Sequence, residues 1–178
     1  MVNDISFWDP LGKKNWGPGP WQREPDRVEF EAHGFPCLMV RGVVTGAWCG
    51  YVGVPEGHWA YGKPYGSVEV EGIHSELNYA AKCSGRICHV PKPGKPDHVW
   101  WLGFDCAHFN DIAPALEARL RDVMGVNRLF GDSWRSYKTV AWVKNEVKRL
   151  ARRLEAMGGS PLQIPLQKRE KMGLNRDE

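Results

Sequence analysis

The chain has 178 residues, of which 42% are hydrophobic and 25% charged, and it carries a formal net charge of +3. That length suits one domain with a core able to fold without staples, and the composition is ordinary for a globular protein. So small a positive excess does not by itself call for nucleic acid, and no apolar run approaches the roughly 20 residues of a membrane span, so no membrane partner is expected.

Met1-Val2-Asn3-Asp4 lacks the basic-then-apolar layout of a signal peptide. The 5 cysteines are an odd number, and together with that start they lead to an expectation of reduced thiols in a cytoplasm. The 9 tryptophans, 20 glycines and 13 prolines predict many turns and a β-rich, aromatic-packed body.

Residues 1–26 read as an extended arm. Phe7, Trp8, Trp16 and Trp21 stand among Pro10, Pro18, Pro20 and Pro25, and proline fixes φ and donates no backbone hydrogen bond. Rings this large are costly to expose, so the arm is predicted to lie across the domain with several of them tucked in. A ligand-binding arm is the alternative.

The α+β domain is placed at residues 27–158. Residues 27–31 alternate apolar and charged side chains as a half-buried strand does. Residues 37–41 and 48–54 read as two further strands joined across Gly42 to Gly46. Gly50 and Gly53 inside the second run signal a bulge or a close backbone approach. Residues 67–73 alternate again, with Val68 and Val70 opposite Glu69 and Glu71, and predict a strand. Residues 97–104, an apolar run through Trp100, Trp101, Leu102 and Phe104, are the predicted central strand.

Two helices follow. Ile112, Leu116, Leu120 and Val123 lie at helical spacing, with Pro114 tolerated in the first turn. Val140, Val143, Val147, Leu150, Leu154 and Met157 recur at intervals of three and four, up to Gly158, Gly159 and Pro161. Strands first and helices last predict a single domain with a bent, mainly antiparallel sheet and the two C-terminal helices packed on it. Residues 159–178 read as a polar tail.

Candidate chemistry gathers where the central strand runs out. Asp105, Cys106, His108 and Asp111 follow it directly, and ends of buried strands hold side chains rigidly while the adjoining loop leaves them accessible. Imidazoles and carboxylates are the acids and bases of hydrolysis and also common metal ligands. The functional reading takes His74, Asp105 and His108 as the catalytic set: a histidine acts as acid or base, and Asp105 orients an imidazole or holds a metal. His58, Lys63, Glu76 and Asp111 would then bind the ligand. The supply of histidines with Lys63 suits a small phosphorylated molecule such as a nucleotide. The spacings match no metal motif, so metal and cofactor stay open. The plainer reading is that Asp105 or Asp111 caps the next helix and His108 satisfies a local hydrogen bond.

Three further patterns carry less. Cys83, Cys88, His89 and Cys106 offer zinc-ligand chemistry, but isolated buried thiols are common and the cysteines are expected to hold no zinc. Cys106 could act as a nucleophile with His108 or His74 as base, a role that the adjacent Asp105 opposes. Lys144, Lys148 and Arg152 form a stripe on the last helix that fits a solvated face or an anionic partner. Too few aromatics accompany it for base stacking, so nucleic acid is not expected there.

The chain resembles a family of functionally unassigned proteins of bacteriophages and bacteria. The likeness rests on Gly17-Pro18-Gly19-Pro20-Trp21 with Glu24-Pro25-Asp26, on Cys49-Gly50-Tyr51-Val52-Gly53-Val54-Pro55 with Gly57-His58, and on Tyr61-Gly62-Lys63. It extends through Trp100-Trp101, Gly103-Phe104-Asp105-Cys106-Ala107-His108 and Asp111 to Tyr137-Lys138-Thr139-Val140, Val143 and Glu146. One block departs: His74-Ser75-Glu76-Leu77-Asn78 stands where the family typically has His-Gly-Gly-Leu-Thr, which places a carboxylate beside His74. The resemblance implies a phage or prophage product in the cytoplasm of a bacterial host cell and implies no activity. Two functions are carried forward. One is a cytosolic protein that binds, and as a hydrolase cleaves, a small phosphorylated ligand. The other is a non-catalytic protein that antagonises a host bacterial protein through the Trp-rich arm and the basic helix.

Overall fold

Three neighbouring strands that are apolar on both faces form the middle of the fold. In the computed structural model, which describes residues 11–89, 93, 98–125 and 134–158, the strands are β1 (Arg27–Ala32), β2 (Phe35–Arg41), β3 (Trp48–Pro55), β4 (Tyr79–Ala81) and β5 (Val99–Asp105). They make one open antiparallel sheet in the order β1-β2-β3-β5-β4. Helices α1 (Pro114–Met124) and α2 (Val140–Gly158) complete an α+β domain. The expectations for residues 1–10, Trp8 among them, and for the tail 159–178 lie outside the described residues.

Helix α2 covers one face of the sheet. Its Val143, Val147, Leu150 and Leu154 pack onto Phe35, Met39, Trp48, Val52, Leu102 and Phe104. Leu38, Val40, Tyr51, Val99 and Trp101 form a second cluster on the other face, with Tyr79 and Ile87 against it. The glycines of β3 mark close approach and not a bulge, because pairing runs in continuous register through both. A Cβ added at Gly50 would lie 2.5 Å from Val147 Cγ2, so its absence is what lets α2 press onto β3.

The N-terminus of α2 is satisfied from two directions. Thr139 Oγ1 accepts the Trp142 N–H at 3.3 Å, while Glu24 of the arm accepts the Val140 N–H at 2.9 Å. The other Glu24 oxygen accepts from Arg41 at 2.9 Å, from Trp48 Nε1 at 3.1 Å and from the Tyr137 hydroxyl. Arg41 is fully buried; it also donates to Asp26 and to the Gly46 carbonyl, and its guanidinium lies 4.3 Å over the Trp48 ring. Burial opposes ionisation of Glu24, yet the hydrogen bonds from Tyr137, Val140, Trp48 and Arg41 outweigh it and hold the carboxyl below its ordinary value.

Three expectations are corrected. Residues 67–73 form no strand: a short 3-10 turn, Tyr65–Ser67, leads into an unpaired stretch in which Val68 is buried. The alternation reported one-sided burial, and the nearby edge of β5 is taken by β4. Helix α1 is mainly packed on the arm, not on the sheet. It buries Pro114, Ala115 and Ala118, the two alanines against Trp16, and leaves Val123 83% exposed and Leu116 38% exposed. The Thr45 carbonyl of the β2–β3 loop takes the first α1 N–H groups, Ala115 and Leu116, and so fixes this docking. Cys83 and Cys88 are joined as a disulfide across a short turn, so they are not the reduced thiols expected; Cys37, Cys49 and Cys106 are free. No helix among the described residues is long and apolar enough to cross a membrane.

Urea unfolding of two variants tests this core. Leu150→Ala should cost about 2–5 kcal/mol by emptying a filled position beneath α2. Glu24→Ala should cost about 3–5 kcal/mol, because it strands a buried guanidinium.

Candidate active site

Two loops and the approach to α2 bring the polar residues together. Beyond β5 the chain turns back, with the Asp111 N–H donating to the His108 carbonyl at 2.9 Å. Residues 110–112 then pair with Ser136: Ser136 N–H donates to Asn110 O at 3.1 Å and Ile112 N–H to Ser136 O at 3.1 Å. This short bridge sets Lys138, just before α2, beside Asp111. His74 arrives on the loop before β4, its backbone N–H held by Glu146 Oε2 of α2 at 3.0 Å.

Asp111 is the hub. Its Oδ2 lies 2.9 Å from His74 Nε2 and 3.1 Å from His108 Nδ1, and it accepts the His108 backbone N–H at 3.1 Å. Lys138 Nζ sits 3.4 Å from the other oxygen, and Arg135 donates to the Asp111 carbonyl at 2.6 Å. Burial alone would raise the Asp111 carboxyl, but hydrogen bonds from His74, the His74 charge and the bonds from His108 hold it below its ordinary value. An ionised carboxylate only accepts, so both ring nitrogens facing it carry protons. The tautomers follow: His74 Nδ1 and His108 Nε2 are the nitrogens left for another partner. His74 is held edge-on between His108, at 5.2 Å between ring centroids, and Trp142, at 5.0 Å. The His108 side chain keeps 31% of its surface open to solvent.

Of the residues singled out from sequence, the structure brings together His74, His108 and Asp111. Asp105 stands apart; its carboxylate accepts the Ala107 N–H at 2.9 Å and the Asn78 amide at 2.6 Å, and the imidazole-orienting role falls to Asp111. His58 is buried elsewhere. Its Nε2–H donates to the Leu154 carbonyl near the end of α2 at 3.1 Å, its Nδ1 accepts the Ala60 N–H, and burial lowers its pKa. Lys63 lies 4.6 Å over the Trp59 ring. Glu76 is exposed and lines a separate groove with Glu69, Glu71 and Tyr65. Cys106 is buried; burial, then the charges of Asp111, Cys49 and Asp105, push its thiol far above the ordinary range, so it is no thiolate nucleophile.

Sequence reasoning gave no site role to Lys138, Trp142, Arg135 and Glu146. One signal was available for Glu146: a carboxylate set in the apolar stripe of α2 between Val143 and Leu150, where it is buried and paired with Arg149 at 2.7 Å.

His74, His108 and Asp111 are also the residues that could hold a metal, since one ligand atom from each lies within 4.8 Å of the others. A cation there would displace the His108 backbone N–H from Oδ2 and meet the Lys138 ammonium. The donor set therefore favours a carboxylate that orients two imidazoles. Compared with family models, curated proteins and solved structures, the chain matches none.

The site predicts an acid dependence. A carboxyl whose folded pKa is depressed contributes stability above its unfolded value, and that stability is lost as pH falls through the folded value. Asp111 and Glu24, with ordinary values of 3.8 and 4.5, should therefore destabilise the fold as pH drops below that range. His58, held neutral by burial, adds a loss that begins nearer its ordinary 6.5. Urea unfolding across pH should show both limbs, and Asp111→Asn should flatten the lower one. His74→Ala should cost about 1.5–3 kcal/mol, because a charged buried acceptor loses a donor, whereas Asp105→Asn should be nearly silent.

Proposed function

We propose that the protein binds a small phosphorylated molecule at His74, His108 and Lys138 and hydrolyses its phosphate ester. The observation that carries this reading is the single Asp111 oxygen shared by two imidazoles, with an ammonium on the other oxygen. A carboxylate that fixes two rings leaves His74 Nδ1 and His108 Nε2 as a matched acid and base. In the reaction, one neutral imidazole takes a proton from water as its oxygen bonds to phosphorus. The other, protonated, gives its proton to the leaving oxygen as the phosphorus–oxygen bond breaks. Lys138 offsets charge on the phosphoryl oxygens. The motif resemblance supplies the setting, a phage or prophage product acting inside a bacterium.

The alternative, antagonism of a host protein through the Trp-rich arm and the basic helix, has less support. Trp16 is buried against α1 and Trp21 stands edge-on to Tyr137 at 5.2 Å, so both rings are engaged within the chain.

The test pairs binding with turnover. Tripolyphosphate should bind the purified protein in calorimetry, and His108→Ala and Lys138→Ala, each still unfolding cooperatively, should weaken it roughly tenfold or more. Release of phosphate from a chromogenic phosphate ester should fall at least a hundredfold in His108→Ala, the scale of a lost acid or base. Tripolyphosphate that fails to bind sinks the reading; binding without turnover leaves only its first half.

A further inference from the structure

The Cys83–Cys88 disulfide closes a short turn that begins just after β4. Inside the ring Ser84 N–H donates to Ile87 O at 3.0 Å and Ile87 N–H to Ser84 O at 2.9 Å, while Gly85 turns the chain with φ at 52°. Arg27 of β1 donates to the Arg86 and Cys88 carbonyls, and Arg86 donates to the Arg41 carbonyl of β2 at 3.1 Å. Ile87 packs on the cluster that contains Tyr51, Val99 and Trp101, and His89 stands edge-on to Trp101 at 5.4 Å between centroids. Residues 82–89 thus form a strap over the sheet face turned away from α2.

The contacts that hold the strap are few and partly open to water. Residues 82–86, Cys83 among them, are exposed, and Ile87, Cys88 and His89 are half-buried. Hydrogen bonds at an open surface contribute little net stability, and segments held by them open at low cost. Closing the turn covalently removes much of the freedom it would otherwise regain. The remaining cysteines do not compete for the bond. Cys37, Cys49 and Cys106 are free. Burial pushes the Cys37 thiol up to about 12, the Cys49 thiol up to about 11 and the Cys106 thiol far above the ordinary range. Exchange needs a thiolate, so it is confined to the pair in the strap.

We propose that Cys83–Cys88 is a redox latch: a dithiol reductant opens it, the strap lifts, and Trp101 is uncovered while the rest of the fold stands. One thiolate of the dithiol bonds to the Cys83 sulfur as the sulfur–sulfur bond breaks, and Cys88 leaves as a thiolate that takes up a proton. The second thiolate of the dithiol then closes on the first and releases Cys83, which is protonated in turn. Two electrons and two protons pass to the pair, and the reductant is left as a disulfide. The latch is independent of the phosphate reading. β4 pairs with β5, and Asn78 donates to the Gly103 carbonyl and to Asp105, so the His74 loop keeps its own attachment.

Hydrogen exchange on the full chain, read residue by residue by NMR, tests the latch with dithiothreitol as the dithiol. Reduction should speed exchange of the Ser84 and Ile87 amides about tenfold or more, the scale of opening a small closed loop, while the α2 amides stay protected. Glutathione disulfide should then restore the slow rates. The double variant Cys83→Ser, Cys88→Ser should exchange at the fast rate with or without dithiothreitol. A bond that dithiothreitol breaks only in urea would overturn the latch and make the disulfide a permanent staple. So would reduction that leaves both amides as slow as before. Loss of α2 protection on reduction, or in the double variant, would overturn it too, because the whole fold would then depend on the bond.

Discussion

Glu24 holds the molecule together at one point. A guanidinium buried as completely as Arg41 must have its charge answered, since an uncompensated ion in the interior costs several kcal/mol. Glu24 and Asp26 supply that answer from the arm, and this explains why a proline-rich segment lies in a defined place. The same carboxylate accepts the first N–H of α2 and the hydroxyl of Tyr137. One side chain therefore joins the arm, β2, β3 and the start of the covering helix.

The consequence reaches the candidate site. Lys138 follows Tyr137 directly, and Lys138 is the cation beside Asp111. The anchoring of Tyr137 and Val140 by Glu24 thus fixes the register at which α2 begins. That register sets Lys138 beside Asp111 and Trp142 against His74, while Glu146, one turn further along, ties down the His74 backbone. Positioning at this precision is what acid–base chemistry requires, and here it comes from a contact on the far side of Tyr137.

A hub such as Asp111 is both useful and exposed to failure. Its fully buried oxygens are answered by two imidazoles, a backbone N–H and an ammonium, so removing any one partner leaves a charged group short. That coupling links fold stability to site geometry. It also links both to acidity, because each partner is placed to meet an ionised carboxylate.

Strands β1, β2, β3 and β5 and the long helix were legible in the residues alone. The runs in β2, β3 and β5 are apolar enough to be buried on both faces, and the α2 stripe repeats at the helical interval, so local pattern and tertiary burial agree. The pattern also marked His108 and Asp111 as polar groups just after the central strand and singled out His74 as a candidate histidine. It could not rank Asp111 above Asp105, the last residue of β5, six positions earlier, because the fold brings two imidazoles to Asp111 and an amide to Asp105. Residues 67–73 and α1 show the same limit. Alternating valines have the same spacing whether or not a neighbouring edge is free to pair with them. Leu116 and Val123 have helical spacing whether the helix docks through them or through Ala115 and Ala118. Folding settled both, because periodicity records which residues share a face, while contacts between distant segments decide what that face meets.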